Sequence, residues 1–223
     1  TDGNIISGST DSNPVVNEPG IYNLLVTNTI NGCTGTSVVA VQQNITPPVV
    51  DATVNNLLTC TVTQIQLQGN VTGGAQGVSY AWAGPGIFSG GNTPTPGVNL
   101  IGQYTLTATD LYNGCTASDA VLVSNDIAPP LVSIATPAQL NCYITQTNLS
   151  GAGSSTGGQF IYTWTGPGIV SGANTLTPAV NQPGAYNLLI TNTSNGCVSN
   201  LATTVEQDIQ ATVAQAGGAF ELT

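Results

Sequence analysis

The sequence contains no lysine, no arginine and no histidine, and ten acidic residues leave it with a formal charge of −10. Nucleic-acid binding needs cations that neutralise phosphates and release counterions, so that class of partner is excluded. The same absence removes heparin-like partners and attraction to anionic membrane surfaces, and no lysine is available for isopeptide cross-links between strands. General acid–base and nucleophilic chemistry near neutral pH rests largely on the missing residue types. The acids are scattered singly, with only Glu206 and Asp208 as close neighbours. The chain is therefore expected not to be an enzyme and to need no cofactor.

Long apolar runs are missing too: no stretch approaches the roughly 20 residues of a membrane-spanning helix, so no membrane insertion is expected in this segment. Charged residues make up only 4% of the chain, against about 25% in a typical soluble domain. Thr, Asn, Ser, Gln and Gly must supply its solubility. The apolar fraction of 40%, spread in short runs, is close to globular usage and unlike a disordered acidic chain. Five cysteines in such a composition point to an oxidising, extracellular setting. No signal peptide is visible at Thr1, so an export signal is expected outside these residues.

What is present is a repeat. Asn-Gly-Cys recurs at Cys33, Cys115 and Cys197, each 82 residues after the last, and Leu-x-Cys at Cys60 and Cys142 keeps the same interval. Trp82 and Trp164 hold that register, as do Tyr22, Tyr104 and Tyr186, and Gly84-Pro85-Gly86 with Gly166-Pro167-Gly168. Residues 1–46 read as the back part of one module, 47–128 and 129–210 as complete modules, and 211–223 as the first strand of another. Both ends fall inside a module, which reads as an excerpt from a longer array.

Within a module the pattern is all-β: short alternating segments bounded by Gly, Pro and Asn turns, with no helical periodicity. Val49–Val54 is expected as the first strand after the Pro47-Pro48 linker, and residues 64–69 as the second, with Ile65 and Leu67 on one face. Val78, Tyr80 and Trp82 alternate, as do Phe160, Tyr162 and Trp164, so these large side chains share a core face. Tyr104, Leu106 and Ala108 face inward from the strand that follows Gly102. The Trp and Tyr residues also suit a sugar platform, but their regular alternation favours core packing. At Gly86 and Gly168 a positive φ is expected, with Asn4 as the left-handed equivalent in the first repeat. The Asn-Gly pairs are hairpin signals. The sequons at Asn44, Asn70, Asn148 and Asn192 are expected to be unmodified chance matches.

The run Leu-Thr-Cys, then Tyr-x-Trp-x-Gly-Pro-Gly, then Pro-Gly-x-Tyr-Asn-Leu-Leu-Ile-Thr-Asn-Thr-x-Asn-Gly-Cys resembles the PKD-like and immunoglobulin-like repeats of giant Bacteroidetes surface adhesins, including gliding-motility adhesins and appendages exported by type IX secretion. The resemblance implies tandem β-sandwich modules stacked head to tail at the cell surface. It departs from the antibody pattern, in which the second Cys lies two residues after the corner Tyr. Here Cys115 lies eleven after Tyr104.

In such a sandwich the second and sixth strands run parallel, so Cys60 and Cys115 sit at opposite ends, roughly 20 Å apart, beyond the reach of a disulfide. Cys33 and Cys60 lie farther apart still. In a head-to-tail stack Cys60 meets Cys197 across a junction, which makes an inter-module staple the preferred pairing. The in-module pairs Cys60 with Cys115 and Cys142 with Cys197, or free thiols, remain open. Asp126 and Asp208, just before successive linkers, are weak calcium candidates.

The expected role is a structural repeat in an extracellular fibre, stalk or filament, its partners being neighbouring modules and laterally associated copies. The alternatives are a module that binds a surface polysaccharide, a substratum or prey, or a spacer in a large secreted hydrolase. The segment Val71 to Gly77 differs from its counterpart in the next repeat only by small, polar residues, which favours a spacer.

Overall fold

The computed structural model describes residues 3–74, 76–215 and 217. Every regular element among them is a β-strand. The repeat at 47–128 folds as two facing sheets. One carries Val49–Val54, Ile65–Thr72, Gly97–Val98 and Ile87–Ser89 in that spatial order; the other places Gly102–Asp110 between Thr116–Val123 and Val78–Ala83. All these pairings are antiparallel. Alternation sends Ile65 and Leu67 inward from one sheet and Trp82, Tyr104, Leu106 and Val123 inward from the other, closing one apolar core.

Residues 129–210 repeat the plan. Phe160–Thr165, Gly184–Asn192 and Val198–Val205 form one sheet, and Thr147–Asn148, Ala179–Val180 and Ile169–Ser171 form the facing one. Their core joins Leu149, Trp164, Val180, Tyr186, Leu188, Ile190 and Val205. The chain is thus a tandem array of immunoglobulin-like β-sandwiches.

Three differences from the sequence expectation have physical causes. No strand forms where 131–136 should match Val49–Val54. There the neighbouring segment offers serines, and hydroxyls take over the ladder: Ser155 Oγ accepts from Leu131 N at 2.9 Å and Ser154 Oγ from Ser133 N at 2.9 Å. Next, Asn4 is not left-handed, since no described residue other than glycine has a positive φ, whereas Gly86 and Gly168 do, at 62° and 56°. The left-handed form costs an L-residue about 1–2 kcal/mol, and Asn4 still accepts from Asn17 N while its side chain donates to Asn17 Oδ1. Last, the Asn-Gly hairpins are wider than two-residue turns. Thr27 pairs with Thr34, and the loop 28–33 is closed by Asn28 N to Cys33 O and Gly32 N to Asn28 O.

In the first repeat, Gly20–Thr27 pairs with Thr34–Val41 and Ile5–Ser7 with Val15–Val16. Leu24 and Val26 are 51% and 58% exposed, although their counterparts Leu106, Ala108, Leu188 and Ile190 are fully buried. Residues 1–46 correspond to the part of a repeat that follows Ile65–Thr72, so the segments that face Leu106 and Leu188 in the later repeats have no counterpart among them. Of the strand expected at 211–223, residues 211–215 carry no regular structure, and 216 and 218–223 lie outside the described residues.

Candidate functional site at the junction between repeats

The aromatic residues expected in the core are structural. Trp82 and Trp164 are buried, and each indole donates to a loop carbonyl, Thr93 O and Thr175 O respectively, at 3.0 Å. Tyr22, Tyr104 and Tyr186 donate to the carbonyl four residues earlier, at 2.7, 2.8 and 2.7 Å. Tyr80 and Tyr162 pack at the core margins, the latter donating to Ser155 O at 3.0 Å. Burial raises the Tyr104 and Tyr186 phenols above their ordinary range. The main surface depressions each carry at most one carboxylate, and no group of three metal-ligating side chains occurs among the described residues.

The distinctive chemistry lies between the two cores. Leu58–Thr59 pairs in parallel with Asn125–Asp126, which fixes the Leu-Thr-Cys turn to the far end of its own repeat, beside the linker. Thr59 Oγ1 accepts from Val62 N at 2.9 Å, and Thr59 N donates to Val62 O at 2.8 Å. Cys60 thereby points toward the next repeat. There the loop after Gly184–Asn192 presents Asn195, Gly196 and Cys197. Cys60 and Cys197 are joined by a disulfide, with Cα atoms 5.1 Å apart across a separation of 137 residues. Neither in-repeat pair forms: Cys33, Cys115 and Cys142 are free thiols.

Asn195 completes the joint. It is 2% exposed, and its side chain donates to Asp126 Oδ1 at 2.9 Å and to Ala128 O at 3.0 Å in the linker. Its Oδ1 accepts from Cys197 N at 3.0 Å, and its carbonyl accepts from Cys60 N at 3.1 Å. Gly196, at φ +71°, lies so close to Thr61 that a Cβ would sit 2.4 Å from its methyl group. The joint is one disulfide, one backbone bond and one amide that reads the linker.

The preceding junction shows the same amide contact: Asn113 Nδ2 donates to Thr46 O at 2.9 Å and Asn113 Oδ1 accepts from Cys115 N at 2.8 Å. Asn44 stands where Asp126 does and bonds its own turn at Thr46 N. Asp126 is occupied by Asn195, and Asp208 accepts from Gln210 N at 3.0 Å. In the sequence, the Asn-Gly pair marks Asn195 only as a hairpin residue. Its recurrence three times before Gly-Cys is the signal that could have marked it.

No protein-family model matches the chain, and no curated protein matches it either. Several solved structures align with it at low similarity. Immunoglobulin domains 1–5 of Sidekick-1 align over 92% of this chain and 48% of theirs, at 15% identity and a TM-score of 0.36. The eight N-terminal Ig domains of Down Syndrome Cell Adhesion Molecule align over 86% of this chain and 28% of theirs, at 14% identity and a TM-score of 0.37. The C-terminal fragment of intimin, solved with the intimin-binding domain of its translocated receptor, aligns over 70% of this chain and 63% of its own, at 13% identity and a TM-score of 0.36. This chain thus spans about half the length of the Sidekick-1 structure, and likenesses this distant assign no function.

Proposed function

We propose that this chain is a load-bearing segment of an extracellular stalk or filament, in which immunoglobulin-like repeats space an adhesive or sensing element away from a bacterial surface. The observation that carries the reading is the Cys60–Cys197 disulfide, which ties two separate cores together beside their linker. A flexible tether of independent domains gains little from a covalent bond at that place. A rod under tension gains a second path for force around the Ala128-Pro129-Pro130 segment.

Three further features support it. The disulfide needs an oxidising compartment. Indoles and corner phenols are turned inward and committed to loop carbonyls rather than offered to a ligand. Histidine and lysine, the usual proton-transfer groups, are missing. The motif resemblance supports reading the array as a Bacteroidetes surface adhesin or appendage of the type IX-exported, gliding kind, with neighbouring modules and laterally packed copies as its proposed partners. Immunogold electron microscopy of the native surface with antibodies against this chain tests the reading. Label along the shaft of a thin fibre is expected. Label confined to a fibre tip, or to a secreted enzyme, would overturn it.

A further inference from the structure

The free thiols fall into two kinds, each matching one half of the bonded joint. Cys142 matches Cys60. Leu140–Asn141 pairs in parallel with Gln207–Asp208 as Leu58–Thr59 pairs with Asn125–Asp126. Asn141 Oδ1 accepts from Ile144 N at 2.7 Å, the role of Thr59 Oγ1, and Asn141 N donates to Ile144 O at 2.9 Å. The turn is set with no partner upon it: Tyr143, the counterpart of Thr61, is 94% exposed.

Cys33 and Cys115 match Cys197. Gly32, Gly114 and Gly196 have φ of 73°, 72° and 71°. Each loop is closed by the same two backbone bonds, and in each the Asn Oδ1 holds the Cys N, at 3.0, 2.8 and 3.0 Å. The difference is occupancy. A Cβ on Gly196 would strike Thr61, whereas on Gly32 or Gly114 it would meet nothing within 4 Å.

We infer that the Asn141-Cys142-Tyr143 turn is a plug and the Asn31-Gly32-Cys33 and Asn113-Gly114-Cys115 loops are sockets of one recurring covalent joint. The partner each takes is another repeat of the same kind, presenting the complementary turn. This goes beyond the stalk reading, because it assigns partners to three thiols whatever the array is for. Plug and socket lie on opposite ends of a repeat, so the contact is heterologous and extends head to tail without closing. The chemistry balances with a disulfide oxidant. The Cys142 thiolate displaces one glutathione from oxidised glutathione, the socket thiolate displaces the second, and two thiols become one disulfide as two reduced glutathione molecules leave.

A second copy of the chain carries both halves and serves as the probe. The intact chain, with Cys60–Cys197 formed, is oxidised at high concentration in glutathione buffer and mapped without reduction using chymotrypsin, which cuts at Tyr143 and so separates Cys142 from Cys197. Cross-linked peptides joining Cys142 to Cys33 or Cys115 are expected, with a ladder of multimers that the Cys142→Ser variant loses. The double variant Gly32→Asn, Gly114→Asn should also lose the ladder, because Asn tolerates the left-handed turn but fills the space that the plug enters. Its thiols should still alkylate at the unaltered rate. Predominant Cys142–Cys142 or socket–socket peptides, no cross-link, or a ladder undiminished in the glycine double variant would each overturn the inference.

Discussion

At the scale of single residues, the repeat exchanges side chains wherever the atom presented stays the same. Thr59 and Asn141 differ in chemistry, yet each offers an oxygen to the N–H three residues on. Asp110 stands where Asn28 and Asn192 stand, and all three accept from the N–H two residues on. Asn195 is not exchangeable in this way, because it donates and accepts at once. In Asn195→Asp an acceptor would face Asp126 Oδ1 and Ala128 O, and a second charge would sit beside Asp126. The variant is expected to lose about 1–3 kcal/mol at neutral pH, the cost of leaving buried polar groups unpaired. The deficit should shrink near pH 4, where a protonated carboxyl can donate again. Urea melts of both proteins at the two pH values check this; an equal deficit at both would show that charge plays no part.

At the scale of the element, the corner tyrosines bind the central strand of one sheet in each complete repeat to the loop that precedes it. Tyr104 reaches Leu100 O and Tyr186 reaches Gln182 O, both from fully buried positions. Burial favours the neutral phenol, so the folded pKa of each lies above the unfolded value of about 10. Their contribution is complete below that unfolded value and is lost as pH rises through the raised folded one. Thermal melts in alkaline buffer should therefore fall, and the Tyr104→Phe, Tyr186→Phe double variant should fall less steeply. That variant should start lower at neutral pH by about 0.5–1.5 kcal/mol for each hydrogen bond removed. An unchanged alkaline slope would assign the loss to other groups.

At the scale of the whole molecule, the staple turns neighbouring sandwiches into a coupled pair. Closing a separation of 137 residues is worth about 5 kcal/mol on the loop-entropy model, and about 2–4 kcal/mol is the common range. Cys60→Ser should leave both cores folded, since neither Cys60 nor Cys197 belongs to the apolar clusters, while the angle between them becomes broadly distributed. Small-angle scattering is expected to show a wider spread of end-to-end distance in the variant, and calorimetry a lower melting temperature. Identical scattering from both proteins would mean that Asn195 and the linker prolines alone hold the joint.

The repeat, the strands and the core face were legible in the sequence because they depend on neighbours along the chain. Alternation through Val78, Tyr80 and Trp82, the Gly-x-Tyr corners and the 82-residue interval all act locally. Sequence and topology also set Cys60 and Cys197 at abutting ends, though in-repeat pairing stayed open, since a disulfide is decided by a distance of a few ångströms between units. Tertiary structure alone decided two matters. It made Asn195 the amide that reads the linker, because only docking brings Asp126 and Ala128 within reach. It replaced the strand at 131–136 with serine contacts, a choice set by what lies opposite. An alternating strand specifies which face is apolar, but whether that face is buried depends on a second sheet being there to meet it.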